Sequence, residues 1–154
     1  VCHGAHFMRG VEIYNGKPIF YNLGSLLMEF EAGESIIGPE MYQAYGHDVD
    51  ARPSELHRAR AKNSAGEFTG FNAEARFSQN ALAIFDVTPA GLACQILPLD
   101  LGMDRERALS RGLPQTVTAQ QGEEIARLLT SLSQHYGTQF NYTAEDGLIQ
   151  FNPA

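Results

Sequence analysis

The dipeptide Asn15-Gly16 limits most strongly how this chain can fold. It stands between Val11-Glu12-Ile13-Tyr14 and Lys17-Pro18-Ile19-Phe20-Tyr21. Asn-Gly accepts the positive φ angles of a type I′ turn, whose twist suits two antiparallel strands. Val11 and Ile13 share one face of the first strand, and Glu12 and Tyr14 share the other. Pro18 has no N–H to give a ladder, so its amide position is expected to face away from the partner strand. A hairpin brings the segment after its second strand back to the segment before its first. Tyr21-Asn22-Leu23-Gly24-Ser25 is therefore expected beside the opening segment that carries His3-Gly4-Ala5-His6.

A helix through the two histidines is not expected, because Gly4 and Gly10 interrupt it and no apolar helical period surrounds it. In a loop, Gly4 lets the backbone fold tightly enough for both imidazoles to converge. Neutral imidazole is the commonest metal ligand at neutral pH, yet zinc usually takes three or four protein ligands. Two readings stand: His3 and His6 are part of a metal site, or they are polar residues of a strand-terminal loop. Cys2 is either a third, soft ligand or a small apolar residue at a strand end. Cys94 lies in an alternating strand and reads as core. A Cys2–Cys94 disulfide is not decided by sequence.

Further along, Glu31-Ala32-Gly33-Glu34 reads as an acidic, solvated turn, against the alternative of metal-binding carboxylates that follow the histidine loop. Pro39 to Tyr45 suits a short helix with Pro at its first position and Gly46 as its stop. His47-Asp48 is a pair with acid–base potential or an ordinary loop dipeptide. Pro53 to Ala61 reads as a second short helix. Its Arg58 and Arg60 invite a phosphate-gripping role, against the simpler reading of a solvated face. Ala81–Val87 and Leu92–Leu97 read as antiparallel strands about Pro89-Ala90-Gly91. With the opening hairpin they are expected to form one four-stranded sheet. Asp104-Arg105-Glu106-Arg107 reads as solvated surface. Thr118 to Tyr136 is the clearest helix. Thr118 and Gln121 make a capping box, and Ile125, Leu128, Leu129, Leu132 and Tyr136 form one apolar stripe for covering the sheet. Thr138–Tyr142 and Gly147–Phe151 are a last strand pair about Asp146-Gly147.

The chain has 154 residues, enough for a single unit spanning 1–154. Its net charge of −7, from 11 basic and 18 acidic residues, argues against nucleic acid as a partner. No apolar run is long enough to cross a bilayer, and no secretory leader is expected within it.

The opening stretch resembles the CapA family, named for poly-γ-glutamate capsule biosynthesis and similar to calcineurin-like metallophosphoesterases. That family carries a Gly-His-x-Pro-His-Val loop and an Ile-Glu-Ile-Tyr-x-Gly-Lys-Pro-Ile-Phe-Tyr-Ser-Leu-Gly-Asn-Phe hairpin. His3 and His6 match the loop histidines and Glu12 the hairpin glutamate, while Tyr21, Leu23 and Gly24 match the Tyr-Ser-Leu-Gly segment. Cys2, Ala5, Asn22, Ser25 and Leu26 replace the family's Gly, Pro, Ser, Asn and Phe. Gln95 to Leu101, Arg111-Gly112-Leu113-Pro114, Leu132-Ser133 and Tyr136-Gly137-Thr138 resemble later family segments. The Gly-Asp, Gly-Asn-His and Asn-Leu-Glu motifs that bear most of the metal carboxylates are absent, so the chain resembles the C-terminal half of such a domain.

The resemblance implies an α+β fold, with antiparallel strands and covering helices, as part of a four-layer α/β/β/α sandwich. It implies divalent metal ions (Mn, Fe or Zn), which activate water for attack in a metal-dependent hydrolase. His3 and His6 would be ligands, with His3 also at the catalytic centre. Glu12, Asn22 and Ser25 would lie behind them or touch substrate. The alternative implied role is a non-catalytic binding or organising subunit of a complex for polymer synthesis and export. Expected partners are the N-terminal half of the domain, a second copy of the chain, and a membrane biosynthesis complex at the cell envelope. The isolated chain is expected to be inactive.

Overall fold

The Asn15-Gly16 turn forms as its chemistry demands. In the computed structural model φ is 49° at Asn15 and 72° at Gly16. It joins β1 (Val11–Tyr14) to β2 (Lys17–Phe20), antiparallel, with Val11 opposite Phe20 and Tyr14 opposite Lys17. The pairing runs on beyond the strands: Arg9 N–H donates to the Asn22 carbonyl at 2.9 Å, and Met8 lies opposite Leu23. The structure describes residues 1–28, 37–48, 50–89 and 91–152. The acidic turn expected at Glu31 to Glu34 lies outside them, as does Ala90 of the expected Pro89-Ala90-Gly91 turn.

A second sheet contains β3 (Gln79–Thr88), β4 (Gly91–Asp100), β5 (Gln115–Thr116), β6 (Gln139–Thr143) and β7 (Leu148–Asn152). Its order is β3-β4-β7-β6, with β5 also beside β4, and every pairing is antiparallel. The expected four-stranded sheet is corrected here. β1 and β2 form a sheet of their own. The free side of β4 is taken by β5 and β7, so the C-terminal hairpin completes the larger sheet. The opening hairpin meets that sheet where Ala81 N–H donates to the Leu23 carbonyl at 3.1 Å.

One face of the larger sheet carries Ala81, Ile96, Phe140 and Ile149 into a core shared with Val11, Phe20 and Leu23 of the hairpin region. Helix α4 (Ala119–Leu132) closes it with Ile125, Ala126 and Leu129. Each aliphatic side chain buried in this way contributes about 1.5–3 kcal/mol. The helix begins at its expected capping box. Gln121 N–H donates to Thr118 Oγ1 at 3.3 Å, and Thr118 N–H donates to Gln121 Oε1 at 2.9 Å. It stops earlier than its apolar stripe suggests, at Leu132, and a 3-10 turn over Gln134–Tyr136 comes next. Ser133 stands just past the end of the helix. That residue is fully buried, and its Oγ accepts the Val11 N–H at 2.9 Å.

Helices α1 (Pro39–Ala44), α2 (Pro53–Ala61) and α3 (Ala75–Ser78) fill the middle of the chain. There Met28, Phe77, Leu101 and Met103 make a second buried cluster. The class is α+β, antiparallel, as expected. Among the described residues no helix is long and apolar enough to cross a membrane. Cys2 is exposed rather than apolar packing at a strand end, because residues 1–4 lie on the surface. Cys94 packs against the core as expected, and both thiols are free. Burial pushes the Cys94 thiol up to about 11.

Candidate functional site

The hairpin delivers its two ends to one place. His6 Nδ1 lies 3.2 Å from Ser25 Oγ, across a sequence separation of 19. His6 also meets the Phe71 ring edge-on, with centroids 5.9 Å apart and planes at 89°. Its backbone is left-handed, with φ of 61°. Histidine enters that region more readily than most residues, though still uncommonly. An exposed side chain is thus held by a serine, an aromatic edge and a constrained backbone.

Ser25 is itself held. Its N–H donates to Asn80 Oδ1 at 2.7 Å, and Asn80 Nδ2 donates to the Phe77 carbonyl at 2.9 Å. Asn80 is fully buried at the start of β3. Gly24 precedes Ser25 with φ of 88°, and a Cβ there would fall 1.8 Å from Asn80 Oδ1. The position therefore demands glycine twice over, for its backbone and for the approach of Asn80.

The other expected site residues divide. Asn22 is buried, and its Oδ1 accepts the Gly24 N–H at 2.7 Å, so it shapes the loop from within. Glu12 faces Tyr21, whose hydroxyl donates to Glu12 Oε2 at 2.5 Å. The Tyr21 ring stacks on Tyr136 at 5.3 Å. The hydrogen bond to Glu12 pushes the Tyr21 phenol up to about 12, since ionisation would set a phenolate against a carboxylate. His3 is exposed, on a segment fastened to β2 by the Cys2 N–H, which donates to the Phe20 carbonyl at 2.8 Å. The structure thus brings His6 and Ser25 into contact and pairs Glu12 with Tyr21. Asn80, Phe71 and Tyr136 are not marked by the sequence as neighbours of this site. They come from distant segments and carry no local motif.

When Nδ1 of His6 holds the ring proton and donates to Ser25 Oγ, Nε2 keeps the lone pair a metal needs. Among the described residues, however, no group of three or more His, Cys, Asp or Glu side chains is placed to hold a metal ion. A closed tetrahedral site takes four ligands and a catalytic one three. The described residues therefore do not by themselves supply a complete ligand set.

No family model matches the chain. It is 30% identical over 155 aligned residues to the uncharacterized proteins y4sH and y4uA of Sinorhizobium fredii, each match covering 97% of this chain and 33% of the relative. The chain spans about a third of the length of the curated relatives it matches.

Proposed function

We propose that this chain is the C-terminal part of a CapA-like domain, built into a four-layer α/β/β/α sandwich. In this reading the His3–His6 loop supplies two imidazoles to a divalent metal site of a metal-dependent hydrolase, and the other ligands come from another stretch of the protein. The observation that carries it is the His6–Ser25 contact at the mouth of the hairpin. A serine hydroxyl on Nδ1 orients the ring, and where it accepts the Nδ1 proton it leaves Nε2 with the lone pair a metal needs. The length of the relatives, about three times that of this chain, leaves room for the remaining ligands.

A second reading is a non-catalytic binding or organising subunit of a polymer synthesis and export complex. Ser25 and Leu26, standing where the resembled family has Asn and Phe, favour it.

Elemental analysis of the longer protein that carries this chain separates the two. Stoichiometric metal in the parent, lost in the His3→Ala/His6→Ala double variant, supports the shared site. No metal in either sinks the hydrolase reading and leaves the binding subunit. The 154-residue chain alone is expected to show no phosphodiesterase activity, and measurable turnover by it would contradict a site completed from elsewhere.

A further inference from the structure

Beside α2 lies a cleft of about 370 Å³, within the size range of small-molecule sites. None of the residues lining it belongs to the His3–His6 loop or to the Tyr21–Ser25 segment. Arg58, Lys62 and Arg111 converge on it, and Glu106 is the one acidic residue among the described residues of its wall. Such a concentration of positive charge stands out in a chain of net charge −7.

The cations differ in how firmly they are held. Lys62 Nζ lies 4.3 Å from the centroid of the Phe68 ring, and Arg111 Cζ lies 5.6 Å from the same centroid. One aromatic platform thus steadies both positive groups. Lys62 also meets Glu106 at 2.7 Å, but the Glu106 side chain is 80% exposed. An ion pair with so exposed a partner contributes little and gives way readily to a better anion. Arg58 stands in the last turn of α2, with no acidic partner among the described residues. Ser54 adds a hydroxyl, and Ala61, Ala108 and Leu109 add an apolar wall.

We propose that this cleft binds a small phosphate monoester. A single carboxylate is satisfied by one guanidinium, whereas three cations suit a doubly charged group with three free oxygens. The ester's organic body would lie against the Leu109 side. On binding, the phosphate displaces Glu106 from Lys62. Glu106 therefore acts as a competing internal anion, and its removal strengthens binding.

The test is calorimetric titration of the full chain with glycerol phosphate in the presence of a chelator, with glycerol and acetate as controls. Saturable binding is expected for glycerol phosphate, weaker binding for acetate and none for glycerol. Arg58→Gln should lower affinity about tenfold, the scale of one charge-assisted hydrogen bond. Glu106→Gln should raise it. Both side chains are exposed, so both variants should melt with the parent. The proposal is overturned by no saturable binding at millimolar ligand, by acetate binding as tightly, by an unchanged Arg58→Gln, or by a weaker Glu106→Gln. Binding should survive in the His3→Ala/His6→Ala variant. Loss there would refute a site independent of the loop, whereas failure of the metal proposal leaves this titration unaffected.

Discussion

At the scale of single residues, Glu12 is the strongest of the influences on the Tyr21 hydroxyl, ahead of burial and Tyr136. The hydroxyl donates to Glu12 at 2.5 Å, and the phenol ionises at about 12 rather than 10.0. The folded state holds this proton more tightly than the unfolded chain does. Its contribution to stability is therefore fully present below pH 10.0 and is lost as pH rises through about 12. A near-ultraviolet titration of tyrosine ionisation should include a late phase from Tyr21. Glu12→Gln should bring it back toward the ordinary range, and a late phase that persists in that variant would exclude the Glu12 bond as its cause. The meeting of His6 and Ser25 is legible in sequence because a two-residue turn sets its own geometry. The role of Asn80 is not. Its partner Ser25 is 55 residues away, and a buried asparagine at a strand start looks like any polar residue.

Among elements, helix α4 is plain in the sequence and its end is not. The capping box and apolar stripe are local patterns; the box appears as expected, and the stripe packs on the core from Ile125 to Leu132, while Tyr136 falls in the 3-10 turn beyond and is exposed. Just past the stop at Leu132, Ser133 bonds Val11, a tertiary contact that periodicity cannot show. The sheet behaves in the same way. Each hairpin is recognisable by its turn, but which hairpin docks on β4 depends on packing. Two variants measure the helix's two roles by urea unfolding. Leu129→Ala empties a fully buried position and should cost about 2–5 kcal/mol. Ser133→Ala leaves the buried Val11 N–H without its partner and should cost about 1–3 kcal/mol. A loss below about 0.5 kcal/mol, the range of ordinary surface substitutions, would show that Ser133 is not a structural anchor.

For the whole molecule, the larger sheet is covered on one side more fully than on the other. Leu82 and Ile84 of β3 alternate with the core-facing Ala81 and Ala83, and they remain 38% and 44% exposed. An edge strand with exposed aliphatic residues is a template for association. The isolated chain is accordingly expected to self-associate. Its sedimentation coefficient should rise with concentration, and Leu82→Lys/Ile84→Lys should suppress the rise. A parent chain that stays monomeric at high concentration would show that this face makes no such contact. Net charge and length, legible at once, bound partners and domain count but do not locate the cations of the α2 cleft. Arg58, Lys62 and Arg111 converge only after the chain has folded.

The bond from Val11 to Ser133 spans 122 residues of sequence. A ribosome adds about 5–20 residues per second, so the opening hairpin spends roughly ten seconds outside the tunnel before its anchor exists. Through that interval His3 and His6 sit on a two-stranded ribbon, a unit marginally stable at best by itself. The histidine loop therefore acquires its lasting shape only once the end of α4 has been made. Any metal or chaperone that meets it earlier encounters a different object.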